Sequence, residues 1–199
     1  DFADRVGGAR SREPYSIPEY MGKLLAEVHR DHYPTLEQLQ VLAVFVEQLD
    51  EVKAEEDQEV PWELRLQCFI LLLGQGGCGK TFLVQQYIAR VVAYAFGTDD
   101  AVRMMAFSNP QSKNLSSERF PAVTVHGACS MDVRKLVNAD MHPGNKLSDL
   151  ERYWAPARLR VGEEITMWPA DVYNMGLLRS AWGRREKCRL SMDEYRLKG

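Results

Sequence analysis

The sequence predicts an α/β domain built on a mostly parallel sheet. Two observations carry that expectation. The apolar run Cys68-Phe69-Ile70-Leu71-Leu72-Leu73 reads as a buried parallel strand; it enters a glycine-rich turn and leaves it as a helix, with Phe82, Leu83, Tyr87, Ile88, Val91 and Val92 spaced three and four apart. Beyond it, strand-like segments alternate with helical ones, the order that places parallel strands side by side with crossover helices.

In chain order, residues 1 to 34 read as an arm, broken by Gly7-Gly8, Pro14 and Pro18, with a short helix expected around Tyr20 to Val28. A firmer helix begins near Thr35, which forms a capping box with Gln38 and opens a stripe of Leu36, Leu39, Leu42, Val46 and Leu49. The stripe fades into the acidic stretch from Asp50 to Glu59, a solvated helix end or loop, and Pro61 breaks it. A second strand is expected over Val102 to Phe107, followed by a polar segment from Pro110 to Pro121. Ala122 to Val125 leads to His126-Gly127. Leu147, Leu150 and Trp154 share a helical face, Leu159 to Ile165 is a candidate third strand, and Asp171 to Arg189 has helical spacing. The expected division is an arm over 1–34 and one α/β domain over 35–199.

Bulk properties narrow the function. A chain of 199 residues holds one substantial core, with or without an arm. A net charge of −3 gives no overall nucleic-acid footprint, so any such surface is local. Cys68, Cys78, Cys129 and Cys188 form no C-x-x-C pair, which disfavours a zinc site or disulfide framework. They suit a reducing compartment, nucleus or cytoplasm, with an organelle left open. No apolar run is long enough to span a membrane, and no secretory signal is visible. A start at Asp1 suggests a piece of something longer.

The central motif is Gly74-Gln75-Gly76-Gly77-Cys78-Gly79-Lys80-Thr81, which satisfies every fixed position of the phosphate-binding loop G-x-x-x-x-G-K-[ST]. Glycines let successive N–H groups point into one concavity, and the helix that follows adds its unpaired N–H groups and positive dipole end. Gly74, Gly76, Gly77, Cys78 and Gly79 therefore cradle phosphate, Lys80 supplies a point charge for the β- and γ-phosphates, and the Thr81 hydroxyl is a ligand for Mg²⁺. A chance match in a chain of this length is expected about once in a hundred. Cys78 reads as a small filler whose place beside Lys80 makes it a candidate for alkylation. Hydrolysis needs acidic groups at the end of a neighbouring strand, and Glu163-Glu164 is the best pair. Two surface glutamates is the other reading, since Arg160 and Gly162 suit a buried strand poorly.

These motifs in this order resemble the amino-terminal RecA-like domain of superfamily 1 DNA helicases of the Pif/RecD type, with the Helitron-transposon helicases the nearest subgroup. Pro34-Thr35-Leu36-Glu37-Gln38 is similar to the family's glutamine motif, Thr124-Val125-His126-Gly127 to its Thr-x-His-Ser motif, and Gly162-Glu163-Glu164-Ile165-Thr166-Met167 to its acidic motif. The resemblance runs from about residue 34 to 187. It implies a RecA-like fold, a mostly parallel sheet with helices on both faces. It also implies adenine contact by Gln38, a magnesium role for Glu163, water activation by Glu164, and single-stranded DNA near Thr124 and His126. ATP and Mg²⁺ are the implied cofactors, and a second RecA-like domain the implied partner. Bland alternatives stay open: a helix cap for Gln38, a turn histidine for His126.

The departures are specific. Glu163 stands where the family carries aspartate, Ser108-Asn109-Pro110-Gln111 matches its motif only loosely, and no Gly-Asp-x-x-Gln follows Glu164. An isolated first domain lacks the arginine finger, worth about a thousandfold in rate. A P-loop ATPase switch with a protein effector, and a degenerate helicase remnant, are the competing readings. Arg179, Arg184, Arg185, Lys187 and Arg189 form a basic cluster, read as a solvated helix face or a phosphate surface, and Trp154, Trp168 and Trp182 read as core or interface.

Overall fold

The computed structural model describes residues 15–28, 32–61, 65, 68–131 and 147–183. At its centre lies strand β1, Val102–Ala106, flanked by β2, Ala122–Thr124, and β3, Leu159–Gly162. Both pairings are parallel. Ala106 lies opposite Thr124, and Met105 opposite Gly162. Three parallel strands in one sheet bear out the α/β class. The parallel sense also fixes the functional geometry, because all three carboxyl ends emerge along one edge.

Alternation along β1 divides the packing in two. Met104 belongs to a core with helices α1, Ile17–Ala26, and α2, Leu36–Asp57, and with the helix that follows the glycine loop. That helix comprises α3, Lys80–Leu83, a π-helical stretch, Val84–Ile88, and α4, Ala89–Phe96. Its neighbour Met105 belongs to a second core with α6, Val125–Ala128, α7, Leu147–Trp154, and α8, Ala170–Gly183. Successive strand residues face opposite sides, so two cores mean helices on both faces of the sheet.

Capping chemistry sets where three helices begin. Ser16 with Glu19, Thr35 with Gln38, and Ser108 with Gln111 each form a complete capping box, the last opening α5, Asn109–Leu115. Helix α1 starts at Ile17 and buries Ile17, Met21 and Leu24 in the same core as α2, so part of the segment expected as an arm contributes to the domain. Helix α2 continues to Asp57, through most of the acidic stretch. Its buried residues are Leu42, Phe45, Val46 and Leu49, while Leu36 is exposed. The polar segment from Pro110 begins inside α5.

One expectation is corrected. Cys68 to Leu73 is not a buried strand: it joins no ladder, and Phe69, Leu71 and Leu73 are 80%, 65% and 74% exposed. Only Leu72 of this run packs on the core. Apolarity measures how well a segment suits burial, but a strand also needs a neighbour in register, and none among the described residues pairs with this one.

Two predictions follow from the packing. Trp154 is fully buried in the second core, and its indole N–H donates to the Ala128 carbonyl at 3.0 Å. Trp154→Ala is expected to lower stability by about 3–5 kcal/mol, read from urea unfolding midpoints. The second concerns the fork that ties α2 to the start of β3: Arg158 donates to both Glu56 oxygens, at 2.8 and 2.9 Å. Burial pushes the Glu56 carboxyl up, but the Arg158 hydrogen bonds and the charges of Arg158, Arg65 and Lys53 outweigh it and hold it below its ordinary 4.5. A depressed carboxyl stabilises the fold above the unfolded-state value and loses that contribution as pH falls through the folded-state value. The stability gap between wild type and Glu56→Gln is therefore expected to be full at pH 7 and to close below pH 4.5 in urea titrations.

Candidate nucleotide site at the carboxyl edge of the sheet

The carboxyl edge gathers most of the residues singled out in the sequence. Strand β1 runs into Phe107 and Ser108, β2 into Thr124 and His126, and β3 into Glu163 and Glu164. The glycine loop reaches the same edge through Thr81, whose hydroxyl donates to Glu163 Oε1 at 2.9 Å across 82 positions of sequence.

Within the loop, Gly77 and Gly79 adopt φ of +79° and +82°, the left-handed region that glycine enters without a Cβ penalty. Gly79 is also the N-cap of α3, and a Cβ there would stand 2.9 Å from Gln38 Nε2. At Gly74 a Cβ would stand 2.7 Å from Cys78 Sγ. Gly76 and Gly77 face open space, with nothing within 4 Å of an added Cβ. Left-handed glycines at a helix start, with open space beside them, are the backbone features from which an anion-binding turn is built. Lys80 folds back over it, donating to the Gly74 and Gln75 carbonyls at 2.8 Å each and lying 3.6 Å from Cys78 Sγ. These bonds are exposed, so water or another acceptor can replace the carbonyls around the ammonium.

The acidic corner is set by backbone contacts. Glu163 N donates to the Met105 carbonyl at 2.9 Å, extending the β1–β3 ladder by one residue, and the Trp168 indole donates to the Glu163 carbonyl at 3.1 Å. The carboxylate then meets Thr81 through Oε1, while Oε2 is buried with no hydrogen-bond partner among the described residues. A carboxylate oxygen left that way is unfavourable by itself and suits a hard cation. Thr81 Oγ1 and Glu163 therefore fit Mg²⁺, the glutamate being long enough to reach the loop. Among the described residues no three His, Cys, Asp or Glu side chains form a protein-only cage. The corner suits a cation that completes its shell with phosphate and water. Glu164 is exposed, in left-handed backbone at φ 49°, and accepts a hydrogen bond from Gln111 Nε2.

Gln38 bridges two elements. Its Oε1 accepts from Thr35 N at 3.0 Å and its Nε2 donates to the Cys78 carbonyl at 3.0 Å, so it caps α2 and grips the loop with one amide. Thr124 and His126 sit apart from the loop, beyond β1. Thr124 Oγ1 accepts from Gly127 N at 3.2 Å as the cap of α6, and the His126 ring lies 5.7 Å from that of Phe107. Cys78 is exposed, whereas burial pushes the Cys129 thiol up to about 12.

No family model, curated protein or solved structure matches this chain. Function has to be drawn from the site's own geometry. Arg179 is buried and donates to the Cys129 and Ser130 carbonyls, which removes it from a phosphate-facing surface; Arg184, Arg185, Lys187 and Arg189 lie outside the described residues. Trp154 and Trp168 are core, and the Trp182 side chain lies outside the described residues. Gln111 is the site residue that motif reading missed. Its signal was the Ser108-x-x-Gln111 capping box directly after a strand.

The glycines yield a paired prediction. Gly79→Ala, forced into left-handed backbone against Gln38, is expected to lower stability by about 1 kcal/mol or more. Gly76→Ala, in open space, is expected to leave the urea midpoint unchanged.

Proposed function

We propose that this chain is the nucleotide-binding half of an ATP-driven motor on single-stranded DNA, of the RecA-like helicase kind. The observation that supports it best is the Thr81–Glu163 hydrogen bond with the orphaned Glu163 Oε2 beside it. It joins a phosphate loop to an acidic strand end at the spot where a nucleotide's cation belongs.

The roles follow from the chemistry of each side chain. Lys80 leaves the loop carbonyls for the phosphate oxygens of ATP. Thr81 and Glu163 hold Mg²⁺, which supplies charge neutralisation to those phosphates when bound. Glu164 accepts a proton from the attacking water. The water oxygen bonds to the γ-phosphorus as the bond to the β–γ bridging oxygen breaks; the phosphate leaves with the water's second hydrogen, ADP departs, and Glu164 releases its proton to solvent. Gln38 lies beside the loop for adenine contact. Thr124 and His126, with Phe107, offer hydroxyl, imidazole and ring faces to a single strand crossing the same edge. A second RecA-like domain completes the site with a cationic group, and closure against it moves the strand.

The unpaired, exposed segment from Phe69 to Leu73 favours a second reading, a degenerate remnant that binds no nucleotide. Titration with a fluorescent ATP analogue and Mg²⁺ separates the two. Lys80→Ala is expected to weaken binding about 10- to 100-fold, the worth of a charge-assisted contact. Equal affinity in both proteins would establish the remnant. Mg·ATP is also expected to slow alkylation of Cys78 by iodoacetamide. In a chain carrying the second domain, oligo-dT is expected to raise turnover; a rate indifferent to DNA would assign the site to a switch with a protein effector.

A further inference from the structure

We propose that Gln111 is the positioning residue for Glu164, an inference that rests on the ATPase reading of the site. Its amide is held at one end and extended at the other. Oε1 accepts from Ser108 N at 3.0 Å and from Ser108 Oγ at 2.9 Å, while Gln111 N donates back to Ser108 Oγ at 3.4 Å. A backbone N–H can only donate, so the atom facing Ser108 N is the amide oxygen, and the amide N–H₂ faces outward. There Nε2 donates to Glu164 Oε2.

Glu164 needs such a hold. It is exposed, it caps the short 3₁₀ turn Ile165–Met167 from left-handed backbone, and an exposed carboxylate on a three-bond stem samples many rotamers. The Gln111 bond occupies one of its two oxygens and leaves Oε1 for the water. Fixing that oxygen matters because misplacing a reacting group by about 1 Å costs on the order of a hundredfold in rate. The hold is itself anchored: α5 packs on β1 and β2, and Gln85 Nε2 from the loop helix donates to the Leu115 carbonyl at its far end at 2.6 Å. Glu164 is thereby referenced to the sheet and the phosphate loop rather than to its own turn.

The three capping boxes show why glutamine stands here. The box of α1, far from the site, uses Glu19, whose carboxylate can only accept and whose work ends with the cap. The two at the site use Gln38 and Gln111, and each spends its spare N–H₂ on a functional group: the Cys78 carbonyl and the Glu164 carboxylate.

Gln111→Glu tests this, since glutamate keeps the capping box but replaces the donor to Glu164 with a carboxylate oxygen that repels it. The protein is assayed in its full chain, with Lys80→Ala as reference. Gln111→Glu is expected to keep the wild-type urea midpoint and the affinity for a fluescent-labelled ADP within twofold. It is expected to lose about tenfold or more in kcat, and the tightening of that ADP analogue on adding aluminium fluoride. Gln111→Ala is expected to show the same losses together with a lowered midpoint from the missing cap. A Gln111→Glu protein with wild-type kcat and wild-type aluminium fluoride response overturns the assignment, because capping alone then explains the residue. A kcat that rises overturns it too, since the contact would then restrain Glu164 rather than place it. Wild type that binds the analogue but gains nothing from aluminium fluoride overturns the assignment and spares the nucleotide site. Wild type that binds no better than Lys80→Ala overturns the ATPase reading itself.

Discussion

The hydrogen bond from Thr81 to Glu163 is the contact on which the site depends. It joins a loop and a strand end 82 residues apart, and it does so at the edge where three parallel strands finish. A hydrogen bond to a charged group contributes about 1.5–3 kcal/mol. The same carboxylate gives some of that back, because its second oxygen is buried with no partner among the described residues. A corner that is satisfied on one side and frustrated on the other is the usual mark of a place shaped by function rather than by stability.

Everything else at the edge follows from parallel pairing combined with capping. Parallel strands deliver their ends to one side, and each end must hand the chain to another element. At β1 the hand-over is the Ser108 box of α5, at β2 the Thr124 cap of α6, and at β3 the left-handed Glu164. Each turn aims one polar side chain along the edge. Gln111, His126 and Glu164 are thus products of how the strands end. Because neighbouring strands lie about 4.8 Å apart, the residues beyond β2 stand about 10 Å from those beyond β3. That separation sets the Glu163–Thr81 corner apart from Thr124 and His126 along the edge.

What the sequence disclosed divides along physical lines. Local signals were legible: the Thr35–Gln38 box, the helix after Lys80, and the strand at Val102 all report short-range chemistry. The glycine pattern disclosed the loop because positive φ at Gly77 and Gly79 can be read from residue type. Pairings across the chain were less legible. Residue type and motif order assigned Thr81 and Glu163 to one cation, but the direct hydrogen bond between them had to be supplied by folding. Gln111 was seen only as the end of a loosely matching motif and was given no role, because its significance lies in a donor left over after capping. Cys68 to Leu73 misled in the opposite direction: its composition speaks for burial, while burial depends on neighbours that composition does not describe.

That segment also clarifies how the loop is held. In a sheet, a strand leading into a phosphate loop would fix it through a ladder of backbone bonds. Here no ladder reaches Phe69 to Leu73, so side chains hold the loop instead: Gln38 on the Cys78 carbonyl, Thr81 on Glu163, and Lys80 on Gly74 and Gln75. Two of those anchors, Lys80 and Thr81, are the groups a bound Mg·nucleotide would claim. Exchanging them for phosphate and cation replaces internal bonds with stronger charged ones. The affinity of such a site and the order of its loop are then one free energy, and ligand that binds only the ordered loop stabilises it by mass action.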